Sequence, residues 1–158
     1  MDSETAAVVR AARELHAATE ALLDAVAARY GVNRNDLRCL EILERDGPMT
    51  AGALAAASHL SPAAVTKVVD RLEGAGYVTR RASRDDRRAH IVEVSDAHAD
   101  LRDAVWQPLL GDAGQLLGAR PARELRGLAD DLRRLGELNR GHACRLSGDH
   151  EPRGASGQ

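Results

Sequence analysis

Positive charge is concentrated in one short stretch of the sequence. Residues 80–88 read Arg-Arg-Ala-Ser-Arg-Asp-Asp-Arg-Arg, and five arginines against two aspartates give a local charge of +3 in a chain of formal net charge −2. By default such a run is a solvated surface loop. A narrow DNA minor groove, however, focuses negative potential and attracts arginine side chains. Arg84 or Arg87 could enter such a groove, with Asp85 or Asp86 bracing the other arginine in a bidentate pair.

A second set of candidate contacts precedes this run, on a predicted helix that extends from Pro62 to about Glu73. Its larger apolar residues form one narrow stripe, made of Val65, Val68, Val69 and Leu72. The opposite face is therefore free to meet a partner. On it, Ala63 can meet a thymine methyl group, Thr66 can bond a base or a phosphate, and Lys67 can reach guanine acceptors or phosphate oxygens.

Local signals define the elements that must hold these residues. Ser61-Pro62 predicts a helix start, because serine caps the first turn and proline loses no hydrogen bond at the first helical position. Thr50 caps a shorter helix before it, after the Gly47-Pro48 break. Two β-like runs, 77–81 and 90–94, enclose the arginine-rich stretch and predict a hairpin with a projecting loop. A helix, a turn, a helix and a hairpin together are typical of a winged helix-turn-helix that reads DNA.

Two longer helical patterns flank this unit. Residues 4–30 form one amphipathic pattern and residues 96–138 another, and Leu125, Leu128, Leu132 and Leu135 are spaced like the seam of a helix that pairs with another. The predicted fold is mainly α with a small β-hairpin. Its winged helix-turn-helix covers 33–95, between N- and C-terminal helices. Residues 139–158 are rich in Gly, His, Ser and Pro, and we expect them to be disordered.

Composition excludes several classes of function. A chain of 158 residues holds one domain or two small lobes. It has no apolar run of the roughly 18 to 20 residues that would span a bilayer, and no signal-peptide pattern, so we expect a cytoplasmic protein without membrane contact. Aromatic residues make up 2% of the chain, too few for a single-strand stacking platform. No cofactor-binding, metal-binding or catalytic motif is present, so we expect neither a cofactor nor enzymatic activity.

The combined motifs resemble the winged helix-turn-helix of MarR-type transcriptional regulators. The resemblance rests on the stretch from Leu60 to Val78, the following Asp-Asp-Arg-Arg-Ala and Val-Glu-Val-Ser, and covers about 37–97. It implies a homodimer built from the N- and C-terminal helices, acting on a pseudo-palindrome in double-stranded DNA as a repressor released by a small effector. The residues it places at DNA are Ser61, Thr66, Lys67 and Arg71, with Asp86, Arg87 and Arg88 in the wing. The wing is the predicted hairpin of 77–81 and 90–94 together with the loop between them. The chain departs from the pattern at Ser83, often acidic in the family, and at His98, commonly glycine.

Some alternatives stay open at this point. A ligand pocket between the dimer helices and the winged domain is implied by the family, and His16, Leu40 and Trp106 are candidates for its lining. The fold could instead serve as a protein-interaction or dimerisation module without DNA contact. A third reading is a thiol or metal sensor of the same fold, with Cys39 as the candidate thiol, although a buried cysteine usually behaves as a small apolar residue. Arg71 could equally form a surface ion pair or touch phosphate.

Overall fold

The computed structural model describes residues 2–82 and 90–148. Six α-helices appear in this part of the chain: α1 (Ser3–Tyr30), α2 (Arg34–Asp46), α3 (Ala51–Ser58), α4 (Pro62–Gly74), α5 (Ala99–Gly118) and α6 (Ala122–Gly148). A short 3₁₀ helix, Asp96–His98, precedes α5. The three described strands are β1 (Met49–Thr50), β2 (Val78–Ala82) and β3 (His90–Val94). The predicted mainly α fold with a small β element is confirmed.

The helix boundaries follow from local caps. The Asp2 side chain accepts a hydrogen bond from the Thr5 amide at 2.7 Å to begin α1, and α1 ends at Gly31, whose φ of 69° is the left-handed conformation that glycine adopts without strain. Asn33 and Asp36 form a reciprocal capping box at the start of α2. The Thr50 hydroxyl accepts from the Ala53 amide at 3.1 Å to cap α3.

The sheet contains one strand more than the predicted hairpin. Strands β2 and β3 pair antiparallel, with Val78 opposite Val94, and β1 adds to the other side of β3, with Met49 opposite Val92. The order is therefore β1-β3-β2. Since β1 has only two residues, it exists through its pairing with β3 and carries no alternating pattern of its own.

The chain divides into two compact units, Met1–Gln107 and Pro108–Gln158. The boundary falls inside α5, at a proline that cannot donate a backbone hydrogen bond. The first unit contains a core to which the helices α1 to α4 and the sheet contribute. Its most deeply buried side chains include Leu37, Cys39, Leu40, Leu54, Val65, Val69, Leu72, Val78 and Val92.

The second unit corrects one prediction about the tail. Helix α6 continues to Gly148, so residues 139–148 are helical and not disordered. The apolar residues that remain exposed in this unit include Leu109, Leu110, Leu116, Leu128, Leu132, Leu138 and Leu146. Residues 149–158 lie outside the described part of the chain.

Candidate nucleic-acid interface

Helix α4 is held by one face and leaves the other in solvent. Its stripe of Val65, Val68, Val69 and Leu72 is buried in the core, whereas Ala63, Thr66 and Lys67 are exposed. Full burial of a valine or leucine contributes about 1.5 to 3 kcal/mol, so this stripe fixes the helix firmly enough to present its outer face. The three residues predicted to meet base edges and phosphates therefore share one accessible surface.

The hydroxyl groups of α4 are engaged within the helix. Ser61 Oγ accepts from the Ala64 amide at 3.2 Å, which makes Ser61 the N-cap that Ser61-Pro62 predicted. Thr66 Oγ1 donates to the Pro62 carbonyl at 3.0 Å. Each oxygen keeps a free lone pair, but the proton of Thr66 is already committed. On this surface Lys67 is left as the cation of α4 without an ion-pair partner among the described residues.

Arg71 forms an ion pair within the protein, and its contact with phosphate stays a prediction. Its Nε lies 3.1 Å from Asp36 Oδ2 and its Nη2 2.5 Å from Asp36 Oδ1, a bidentate pair between α4 and α2. The Asp36 side chain is 4% exposed. These hydrogen bonds raise the pKa of the Arg71 guanidinium. Since a buried carboxylate needs this partner, Arg71 serves the packing of α4 on α2.

Two arginines of β2 join the wing to its neighbours. Arg80 bonds two carboxylates of α4, with Nη1 2.7 Å from Glu73 Oε2 and Nη2 2.5 Å from Asp70 Oδ1. Arg81 Nε lies 2.9 Å from Glu93 Oε2 across the β2–β3 pair. The acidic residues of α4 are thus neutralised from the wing, so they do not oppose a polyanion beside Lys67. The predicted wing contacts Arg84, Asp86, Arg87 and Arg88 lie outside the described residues.

The junction between α4 and β2 carries a contact that sequence reasoning missed. His98, in the 3₁₀ helix, places its Nε2 2.9 Å from the Ala75 carbonyl oxygen and stacks its ring on Tyr77, with centroids 4.2 Å apart. Tyr77 in turn stacks on Tyr30 at 5.6 Å and donates its hydroxyl to the Tyr30 carbonyl at 2.8 Å. The one signal in the sequence that could have indicated this contact is His98 itself, which stands at a position that is commonly glycine in the MarR family.

The residues expected to line a ligand pocket do not come together. Leu40 is fully buried in the core, His16 is exposed on α1, and Trp106 packs against the core from α5. A cavity of about 520 Å³ lies instead between α1 and α2. Its lining includes Glu20, Leu23, Arg34, Leu37, Glu41 and Ile42. None of the three residues lines this cavity, and their place in a ligand pocket stays a prediction.

The cavity is polar at its wall. Arg34 pairs with Glu20 at 2.9 Å and with Asp24 at 3.4 Å, yet its buried Nη1 has no hydrogen-bond partner among the described residues. Burial raises the pKa of the Glu41 carboxyl group, and the charges of Arg34 and Arg45 oppose that rise. The wall thus carries a carboxylate that is costly to keep charged, next to an arginine with one unpaired buried nitrogen.

The chemistry of a thiol or metal sensor has little support in this geometry. Cys39 is 0% exposed, and burial raises the pKa of its thiol, whereas a reactive cysteine needs a lowered pKa and access. Cys144 is exposed on α6. Within residues 2–82 and 90–148, no three His, Cys, Asp or Glu side chains are grouped so that they could hold a metal ion.

The sequence of this region matches a known protein family. The MarR family model matches residues 32–90, from the start of α2 to the first residue of β3. Over these residues the chain is similar to the MarR family. The resemblance predicted from the Leu60–Val78 stretch and the wing motif is confirmed, and similarity to a family of regulators agrees with the expectation that the chain is not an enzyme.

The curated relatives that are similar to this chain are named as regulators. YcgE of Bacillus subtilis, an uncharacterized HTH-type transcriptional regulator, is 42% identical over 98 residues, which cover 61% of this chain and 63% of YcgE. The HTH-type transcriptional regulator MhqR of the same organism is 22% identical over 108 residues, covering 68% of this chain and 74% of MhqR. The match thus spans less than two thirds of the length of YcgE.

Solved structures agree on the MarR fold. A MarR family protein from Bacillus stearothermophilus has a TM-score of 0.65 at 22% identity, covering 87% of this chain and 97% of that one. AbsC, a MarR family transcriptional regulator from Streptomyces coelicolor, has a TM-score of 0.61 at 19% identity, covering 89% and 97%. At such identities the likeness concerns the fold. In the described residues no helix is both long and apolar enough to cross a membrane.

Proposed function

We propose that this protein is a sequence-specific regulator of transcription that binds double-stranded DNA through α4 and the wing. The observation that carries the proposal is the exposed face of Ala63, Thr66 and Lys67 on a helix whose opposite face is buried. Arg80 of β2 neutralises the two carboxylates of that helix. Relatives named as HTH-type transcriptional regulators support the same reading. Its place of action would be the cytoplasm.

The protein would act as a homodimer on a pseudo-palindromic site. A two-fold symmetric protein reads two half-sites about 34 to 36 Å apart, which doubles the number of contacts. The support for a dimer is the set of leucines left exposed on α6, including Leu128 and Leu132 at 36% and 48%. A solitary helix seldom leaves such a row in water, because its burial against a second helix is favourable.

We further propose that the protein is a repressor whose DNA occupancy is lowered by a small effector. The support for an effector is the cavity between α1 and α2, large enough for a small molecule and lined by Leu23, Leu37 and Ile42 beside the free donor of Arg34. An effector that binds one dimer geometry better than another would change the separation of the two α4 helices and break their register on DNA.

The first experiment selects bound duplexes from a random library with the wild-type protein and measures their affinity at several salt concentrations. A DNA binder loses affinity steeply between about 50 and 200 mM salt, because phosphate contacts release counterions. Lys67→Ala should weaken binding about tenfold and, if Lys67 contacts a phosphate, lower the magnitude of the salt slope by about one. Arg84→Ala and Arg87→Ala should also weaken binding.

Arg13→Ala is the matched control, since it removes one exposed positive charge from α1 instead of α4. It should leave affinity and slope close to those of the wild type. If no duplex is selected, or if affinity is flat with salt, the DNA proposal fails and a protein-interaction module becomes the better reading.

A further inference from the structure

The junction between α4 and β2 decides how the two proposed DNA-contacting elements are set relative to each other. Only residues 75–77 separate the end of α4 from the start of β2. Helix α4 carries Lys67, and β2 leads into the segment that holds Arg84 and Arg87. A change of a few degrees at this junction would misalign the base contacts of one element relative to those of the other.

His98 closes this junction from outside. A carbonyl oxygen only accepts, so the 2.9 Å contact means that His98 Nε2 carries a proton and donates it to Ala75 O. Ala75 is the C-cap of α4, and its carbonyl belongs to the helix end that lacks intrahelical partners. The helix thus ends against a fixed donor and not against water.

The same ring also orients the first residue after the turn. His98 stacks on Tyr77 with centroids 4.2 Å apart and an interplanar angle of 28°. Gly76 between the two contacts has a φ of 79°, and a Cβ at this position would lie 3.4 Å from His98 Nε2. The ring therefore packs closely against the turn at Gly76, where a residue with a side chain would be strained.

The contact reaches beyond the turn at both ends. Tyr77 is buried and is tied to the end of α1 through its hydroxyl and its stacking on Tyr30. His98 is followed directly by α5, and four residues later Arg102 bonds Ser95 O at 2.9 Å and Glu44 at 3.1 Å. His98 is thus itself held in place by the segment that it belongs to.

We infer that His98 is a positioning residue for DNA binding, which sets the angle between α4 and the wing through Ala75 O and the Tyr77 ring. The inference rests on the proposed function. It assigns His98 no contact with DNA, because its donor is used within the protein and its side chain is partly buried. Its loss should therefore reduce specific affinity without changing the number of phosphate contacts.

The test compares two variants on two probes. The specific probe is a duplex selected by the wild-type protein from random sequence, and the second is a duplex of the same length and shuffled sequence. His98→Phe keeps a ring on Tyr77 and removes the hydrogen bond, and His98→Ala removes both. We expect the dissociation constant for the specific duplex to rise about three- to tenfold in His98→Phe and further in His98→Ala, which corresponds to the loss of one hydrogen bond and then of the stacking.

Two readouts distinguish a positioning role from a merely structural one. The first is the ratio of the affinities for the specific and the shuffled duplex, and the second is the slope of the logarithm of affinity against the logarithm of salt concentration (the salt slope). We expect the ratio to fall and the slope to stay at its wild-type value. Ala97→Ser, an exposed neighbour in the same 3₁₀ helix, is the control and should change neither. Circular dichroism establishes that each variant is folded. Hydrogen exchange of the amides of residues 75–78 in the wild type should slow when the specific duplex is added.

Each contrary result overturns the inference. Wild-type affinity in both variants would exclude a positioning role, and a salt slope reduced by about one would make His98 a phosphate contact. Equal losses on both duplexes would indicate a general loss of folded protein. Unchanged exchange at residues 75–78 would also overturn it, even if both variants failed to fold. A wild-type protein that selects no duplex would overturn the proposed function and this inference together, whereas the other results concern His98 alone.

Discussion

The pair of Asp36 and Arg71 ties helix α4 to α2 through two hydrogen bonds from one guanidinium group. An exposed ion pair is worth little, but Asp36 is buried to 4% exposure and accepts two hydrogen bonds from the same guanidinium. It also accepts from the Asn33 amide at 3.3 Å. Release of Arg71 from this pair would leave the carboxylate buried without its cation, which is strongly destabilising. Any phosphate contact of Arg71, whose side chain is 48% exposed, would therefore form with this pair intact.

The burial of weakly acidic side chains should make the free energy of unfolding depend on pH in the alkaline range. Burial raises the pKa of the Cys39 thiol above its ordinary 9.0 and that of the Tyr77 hydroxyl above its ordinary 10.0. In the unfolded chain these groups lose their protons at the lower values, so deprotonation favours the unfolded state. We expect the free energy of unfolding to be level below the ordinary pKa of the thiol and to fall as the pH rises above it.

Urea unfolding measured between about pH 7 and pH 11 tests this expectation. Cys39→Ala should remove the earliest part of the fall, while Cys144→Ser, which changes an exposed thiol, should leave the curve as in the wild type. Stability that increases with pH over this range would contradict the assignment of burial as the cause.

At the scale of the element, α4 depends on its first turn. Ser61 Oγ satisfies the Ala64 amide, which would otherwise lack an intrahelical partner. Ser61→Ala should lower the free energy of unfolding by about 1 kcal/mol, and Ser61→Gly by only a few tenths. Denaturant unfolding of the two variants measures the difference. Equal losses in both would mean that the serine acts through something other than its cap.

The elements that the sequence predicts well are those with local causes. Ser61, Pro62 and the stripe from Val65 to Leu72 lie within a dozen residues of one another, so capping and periodicity were sufficient to place α4. The pairing of Asp36 with Arg71 joins residues 35 positions apart, and nothing in either local pattern indicates it. Strand β1 was missed for the same reason, because its two residues become a strand only beside β3.

The composition of the last residues of α6 gave a wrong prediction, because the helix follows the spacing of apolar residues there. The segment after Asn139 contains Gly, His and Ser, which favour a loop, yet α6 extends through it to Gly148. Leu138 and Leu146 continue the apolar spacing of the preceding turns, a pattern that a view of composition overlooks. The cavity between α1 and α2 was beyond sequence reasoning, because its lining comes from two helices and one residue of α3.

At the scale of the whole molecule, assembly should depend on the exposed leucines of α6. The double change Leu128→Glu and Leu132→Glu places two charges in this row and should convert the proposed dimer to monomers, because buried unpaired carboxylates cost several kcal/mol. Light scattering after size exclusion measures the mass directly. DNA affinity should fall by more than a hundredfold in parallel, since each half-site would then be bound separately.

Arg126→Glu is the control for this experiment. It changes the net charge by the same two units on the same helix, outside the row of leucines. A wild-type mass in the double variant, or a monomeric wild type, would refute the dimer.

The order of the sheet has a consequence for behaviour at high concentration. Strand β3 is paired on both sides, so β2 is left with a free edge. An open strand can recruit the same strand of another molecule and start fibrous aggregation. Here the strand is five residues long and carries the charged side chains Arg80 and Arg81, and both a short strand and charge disfavour pairing between edges. The ion pairs that join β2 to α4 and β3 therefore also place charged groups along the edge through which copies could aggregate.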